Sequence, residues 1–203
     1  IIMLFLNENP KSILENIKKL LITGVKDRKH TFHLPVFTNI SNDGFASSRV
    51  VVLRHFDEKN FILKFHTDFR SPKIDEIKKN NNSSFVFYDS KLKIQLRIKT
   101  KSFINNQNEM TKNTWENVAL LSRKCYLTTK NPSSITSHPE DGIPFDLIGK
   151  EPTQEESEIG YKNFSIVENI ITTIDWLYLA SSGHRRLQIE IKNKIPNFRW
   201  TIP

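Results

Sequence analysis

The spacing of hydrophobic and polar positions changes several times along the chain, and the changes mark its elements. Over residues 10–23, Ile13, Leu14, Ile17, Leu20 and Leu21 recur at helical spacing and make one apolar stripe. Pro10 suits a first helical position, Asn9 can cap the free backbone N–H groups, and Gly24 is the expected stop. From Thr31 the period drops to two. Thr31–Ile40, Phe45–Phe56 and Phe61–Thr67 are predicted strands, joined by the turns Ser41-Asn42-Asp43-Gly44 and Asp57-Glu58-Lys59-Asn60, so the three read as an antiparallel meander.

A short helix is predicted from Ser71 as N-cap and Pro72 as first helical residue to about Lys79. Strands follow at Ser84–Tyr88 and Leu92–Phe103, then a helix over 108–124 anchored by Trp115, Val118, Ala119 and Leu121. The polar segment 128–160, with Pro132, Pro139, Gly142, Pro144 and Pro152, reads as mostly loop. Lys162–Val167, Ile170–Leu179, Arg185–Lys192 and Phe198–Ile202 return to strand. Without alternation of helix and parallel strand, the class is mainly β, an antiparallel β-barrel with peripheral helices. The whole of residues 1–203 is expected to form one domain, with the helix at 10–23 preceding a barrel over about 30–203.

Composition narrows this picture. Hydrophobic residues are 37% and charged residues 26%, which excludes both a membrane-embedded bundle and a disordered chain. Fourteen Phe against six Gly can furnish a dry interior. The lone cysteine, Cys125, excludes an internal disulfide and a cysteine-based zinc site. The opening run IIMLFLN is too short to span a bilayer and lacks a basic flank, so a soluble cytoplasmic protein is expected. The net charge of +8 draws anions, but it is spread along the chain and reads first as solvated surface. His30 and His33 fall on opposite faces of an extended segment, which argues against a metal site. The aromatics alternate as strand-core residues do, with no stacking motif for nucleic acid.

Four segments hold candidate chemistry. Arg49-Val50-Val51-Val52-Leu53-Arg54 carries an arginine at each end of an apolar strand, which suits either an anion at the strand's margin or two snorkelling surface side chains. In Phe65-His66-Thr67-Asp68-Phe69-Arg70-Ser71-Pro72-Lys73 a strand runs into a helix N-terminus, whose free N–H groups, hydroxyl and lysine make a credible phosphate cradle, or an ordinary cap. Lys93, Gln95 and Arg97 share one strand face, fit for the edge of a polar heterocycle or for solvent. His184, Arg186, Gln188 and Glu190 share the polar face of a late strand, and Trp176 lies in an apolar strand upstream, where core packing is its simplest role.

Taken together, Arg49-Val-Val-Val, His66-Thr67, Ser71-x-Lys73, Gln95-x-Arg97, Trp176 and His184-x-Arg186 resemble pyridoxamine 5′-phosphate oxidase and its relatives. That family consists of FMN-binding split β-barrel proteins that work as homodimers, with flavin at the subunit interface. The resemblance implies FMN as cofactor, with Arg49 and Lys73 as phosphate cations and Ser71 beside them. It implies that Val50, Val51 and Val52 line the flavin through their backbone, and that His66, Thr67, Gln95, Trp176 and Arg186 contact the cofactor. It implies an oxidoreductase acting on a small amine or alcohol, such as a phosphorylated B6 vitamer, with His184 and Arg123 orienting the substrate. The pattern departs at Ser182, where the family has an arginine, at Ala119, where it has a tyrosine, and at Pro72, where it has a phosphate-binding arginine. The departures at Ser182 and Ala119 motivate an alternative, a non-catalytic split-barrel protein that binds or stores flavin or haem.

Overall fold

A computed structural model describes residues 9–203. The opening apolar run lies outside the described residues. Asn9 caps helix α1 (Pro10–Lys26), its Oδ1 accepting from the Lys11 N–H at 2.9 Å. The stripe predicted from spacing is the buried face: Ile13, Leu14, Ile17 and Leu21 are all in the core. The helix does not stop at Gly24. It continues to Lys26 and closes where the Asp27 N–H donates to the Thr23 carbonyl at 2.8 Å. Gly24 serves a close approach instead, because a Cβ there would lie 2.8 Å from the Phe32 carbonyl carbon.

Nine antiparallel strands follow: β1 (Val36–Ile40), β2 (Ala46–Val50), β3 (His55–Asp57), β4 (Ile62–Asp68), β5 (Asn82–Asp89), β6 (Ile94–Asn106), β7 (Phe164–Tyr178), β8 (Arg185–Lys192) and β9 (Ile195–Thr201). Their order is β2-β1-β5-β6-β7-β4-β3, with β8 also paired to β7 and β9 to β8. The predicted strand at 45–56 is split into β2 and β3, which pair with β1 and β4 at opposite ends of that path. Residues 51–54 join the two ends. The Val51 N–H donates to the Pro35 carbonyl at 3.0 Å, Leu53 to His33 at 2.9 Å, and Arg54 to Lys64 at 2.9 Å. The sheet therefore curls into a split barrel, bridged by this stretch of chain but not closed by strand pairing.

Other boundaries moved as well. The expected strands at 162–167 and 170–179 are one strand, β7, because Asn169 between them is buried and fully used. Its Nδ2 donates to the Leu63 and Val167 carbonyls at 3.0 Å each, and its Oδ1 accepts from Ser102 Oγ at 2.7 Å. The expected helix over 108–124 breaks into α3 (Glu109–Glu116) and α4 (Leu120–Arg123), where the Asn117 N–H closes the first on the Thr114 and Trp115 carbonyls. The helix predicted after Ser71 is α2 (Pro72–Lys79), and α5 (Gln154–Glu158) interrupts the expected long loop. The first predicted strand begins late, at Val36, after a 3-10 turn over Thr31–His33.

The inner face of the sheet is a Phe-rich core covered by α1. Phe37 packs on Phe65 and Phe85 with ring centroids 4.8 and 5.1 Å apart, and each such buried ring contributes roughly 2–3 kcal/mol. A smaller cluster of Trp115, Phe164 and Ile166, flanked by Tyr126 and Tyr161, lies under the segment between β6 and β7. No helix among the described residues is long and apolar enough to cross a membrane.

Candidate functional site

The end of β4 and the start of α2 build a cationic cradle. The Asp68 carbonyl accepts from the Ser71 N–H at 3.1 Å and the Asp68 carboxylate holds the Arg70 guanidinium at 2.6 Å, fixing the turn into α2. Ser71 occupies the cap position, yet its hydroxyl makes no cap bond. It accepts instead from Lys73 Nζ at 2.5 Å, and Lys73 also donates to Thr67 Oγ1 at 2.9 Å. The first turn of α2 thus keeps the positive end that attracts anions. Arg49 reaches the same place from β2, donating to Ser47 Oγ at 2.6 Å and to Asn39 Oδ1, with its guanidinium 5.8 Å from the Phe37 ring centre. Burial and the charge of Arg49 push Lys73 down to about 8, and burial also lowers Arg49. Two cations withdrawn from water within reach of each other favour an anion that neutralises both.

A second cluster lies on the outer face of the sheet. Cross-strand pairing puts Tyr88, Gln95, Leu177 and Arg186 in one row. The neighbouring row runs Val50, Val36, Val86, Arg97, Asp175, Gln188, Arg199. Asp175 ties two arginines together: Arg97 donates to it at 2.6 Å and Arg186 at 2.7 and 3.1 Å. Burial opposes the Asp175 charge, but those hydrogen bonds outweigh it and hold the carboxyl below its usual range. A groove of about 850 Å³ follows these residues, lined also by Gln188, Phe198 and Arg199.

The remaining expected residues distribute unevenly. Val50 is exposed on the outer face, while Val51 and Val52 are half-buried in the bridging stretch. His66 follows Phe65 on β4 and turns its ring edge-on to Phe164 at 4.9 Å, under the smaller cluster. Burial, helped by the charge of Arg54, lowers it to about 4, so its ring is neutral near pH 7. His184 is exposed in the turn before β8. Trp176 is not brought together with Gln95 and Arg186. The pleat places it between Leu96 and Leu187 in the core, 1% exposed, with no hydrogen-bond partner for its indole Nε1 among the described residues.

Arg123 is not brought together with either cluster. It is 1% exposed and its guanidinium is spent on the fold. It donates to the Trp115 and Val118 carbonyls at 2.7 and 3.1 Å, to Ser157 Oγ at 3.1 Å and to Glu158 Oε1 at 2.7 Å, and it stacks 4.7 Å from the Trp115 ring centre. Three residues that spacing did not single out do belong to the clusters. Asn39 bridges Arg49 to Glu76, donating to Glu76 Oε2 at 2.8 Å, and Asp175 pins Arg97 and Arg186. Their signal in the sequence is slight: a polar residue two positions after Phe37, and an acid within a run of apolar residues.

Residues 14–106 match a family model described as pyridoxamine 5′-phosphate oxidase, FMN-binding domain. The stretch covers β1 through β6, including the cradle and Gln95. The pyridoxine/pyridoxamine 5′-phosphate oxidase of Bartonella henselae is 37% identical over 60 residues, which is 30% of this chain and 28% of that protein. The match therefore spans less than a third of that relative's length. Among solved structures, a pyridoxamine 5′-phosphate oxidase-related, FMN binding protein from Nostoc punctiforme PCC 73102 is similar with a TM-score of 0.74. It is 16% identical, over 93% of this chain and 96% of that one. PhzG from Burkholderia lata 383, in complex with tetrahydrophenazine-1-carboxylic acid, is similar with a TM-score of 0.68 at 15% identity, over 97% and 95% of the two chains. At such identities these likenesses concern the fold, which is that of the FMN-binding split barrels. The resemblance to the pyridoxamine 5′-phosphate oxidase family is borne out, and the domain that matches is an FMN-binding one.

The residues present fit the phosphate end of such a cofactor. Two cations and two hydroxyls converge at the start of α2, and Arg186 and Gln95 offer donors for a polar ring edge on the outer face.

Proposed function

We propose that the chain binds FMN between two copies of itself in the cytoplasm and works as an oxidoreductase of the pyridoxamine 5′-phosphate oxidase type on a small amine or alcohol. The observation that carries this reading is the convergence of Arg49, Thr67, Ser71 and Lys73 at the N-terminus of α2. Arg49 and Lys73 hold the phosphate by charge-assisted hydrogen bonds. When bound, FMN supplies the two-electron redox chemistry, and the protein supplies placement and electrostatics. His184, exposed two residues before Arg186, would orient a substrate over the outer-face cluster.

The separation of the two clusters supports a dimer. Thr67 pairs with Ser165 and Arg186 with Leu177, positions twelve residues apart on β7, roughly 40 Å along the strand at about 3.3 Å per residue. The cradle and Arg186 of one copy are thus poorly placed to grip the same flavin, whereas the cradle of one copy and Arg186 of another can. The chemistry of a phosphorylated B6 vitamer suits the basic outer face, with Arg186 and Arg199 along the groove.

The locked guanidinium of Arg123 favours a second reading, in which the protein binds or stores a flavin or haem without turnover. The visible absorbance spectrum of the purified protein, followed by release and identification of the chromophore, tests the cofactor. Oxygen consumption with pyridoxamine 5′-phosphate separates enzyme from store. A colourless protein that FMN does not reconstitute overturns both flavin readings.

A further inference from the structure

On the cofactor reading above, we infer that Glu76 is a built-in counter-ion of the cradle, coupled to Arg49 through Asn39, which limits how tightly the phosphate end of a ligand is held. Asn39 is 1% exposed, and both ends of its amide are committed. Its Oδ1 accepts from Arg49 Nη1, and its Nδ2 donates to Glu76 Oε2 at 2.8 Å and to the Ile40 carbonyl at 3.1 Å. A buried amide so placed fixes the guanidinium and the carboxylate relative to each other. Glu76 also stands one turn after Lys73 on α2, the spacing at which side chains on a helix are neighbours. Its charge acts on both cations, favouring the charged forms of Arg49 and Lys73.

The charge count gives the consequence. Arg49, Lys73 and Glu76 together carry one net positive charge. Asp68, the other acid that faces Lys73, is already paired with Arg70 at 2.6 Å. A phosphate monoester dianion placed on the cradle leaves it one charge negative, whereas without the Glu76 carboxylate the filled cradle is neutral. The carboxylate keeps two buried cations tolerable in the free protein and sets a ceiling on affinity for the dianion. It is a positioning residue that touches the ligand only through its field and through Asn39.

The test compares FMN with riboflavin, which lacks the phosphate, by fluorescence titration of the full chain. Glu76→Gln keeps an amide oxygen for Asn39 to donate to while removing the charge. It is expected to lower the Kd for FMN about tenfold and to leave that for riboflavin within about twofold, from the loss of one charge near the phosphate. Glu76→Ala also removes the acceptor, frees Asn39 and Arg49 to move, and is expected to gain less than the glutamine variant. A merely structural role would shift FMN and riboflavin together, and a variant that does not fold would bind neither, in which case the alanine variant carries the comparison. If the unaltered protein does not prefer FMN to riboflavin, the cradle itself is misassigned and the inference falls with it. If it prefers FMN but Glu76→Gln leaves the preference unchanged or reduces it, the counter-ion role alone is overturned.

Discussion

Gln95 and Arg186 stand in one cross-strand row, each paired with Leu177 from opposite sides. Directly paired residues project from the same face of a sheet, so the amide and the guanidinium share the outer surface across the strand between them. The next row along that face contains Arg97 and Asp175, and the Asp175 carboxylate fixes Arg186 by two hydrogen bonds. The arrangement makes Arg186 a rigid donor, and it separates the outer cluster from Trp176, whose pleat position faces the core.

The cradle is tested by its cations. Arg49→Ala and Lys73→Ala are each expected to weaken FMN binding roughly 10- to 100-fold, since hydrogen bonds to charged groups are worth about 1.5–3 kcal/mol. Riboflavin affinity should hardly move. Equilibrium titration of both ligands checks this, and unchanged FMN affinity in both variants places the phosphate elsewhere.

Binding should also depend on pH. Lys73 is charged below about 8 and neutral above it, with burial and Arg49 opposing its charge and Asp68 and Glu76 supporting it. FMN affinity is expected to fall as pH rises through that value, and Lys73→Arg should remove the break. The free protein should respond in the opposite sense. The unfolded lysine, at the ordinary 10.5, binds more protons than the folded one between about 8 and 10.5, so stability rises with pH in that window. Urea unfolding of the free protein against the Lys73→Met variant isolates this contribution.

His66 predicts a loss of stability in acid. Its folded value of about 4 lies below the ordinary 6.5, so the unfolded chain binds more protons between the two. The contribution is fully present above pH 6.5 and lost as pH falls toward 4. The acid sensitivity of urea unfolding should therefore lessen in a His66→Leu variant between pH 7 and 5.

Arg123→Ala is expected to destabilise the fold by about 3 kcal/mol, because it strips partners from two carbonyls, a serine and Glu158 and leaves a cavity against Trp115. Thermal unfolding reads this directly. A variant of unaltered stability that loses only turnover would instead support the substrate role that the family resemblance implies.

Gly24→Ala inverts an ordinary helix rule. In an open helix interior the change stabilises by about 1 kcal/mol. Here the new methyl would meet the Phe32 backbone at 2.8 Å, so a destabilisation of about 1–3 kcal/mol is expected. Urea unfolding supplies the sign.

The amino-acid sequence by itself determined the local structure. The stripe of α1, the Ser71–Pro72 helix start, the turn at Ser41–Gly44 and the alternation through β4, β6 and β8 are all set by neighbours within a few residues, and they appear as read. Part of the cradle was legible for the same reason, since Thr67, Ser71 and Lys73 are close along the chain, whereas Arg49, on β2, was joined to them only by the family resemblance. What only the tertiary structure decided depends on partners distant in sequence. The run 46–57 was split because its halves pair with different strands. Asn169 was kept inside β7 by Leu63 and Ser102, and Arg123 was drawn into a clamp by Trp115 and Glu158. Asn39 and Glu76 acquired a role only when α2 packed beside β1. Periodicity shows which face a side chain takes, but a buried polar group must be satisfied by whatever the fold brings to it, and that partner is not written in its neighbours.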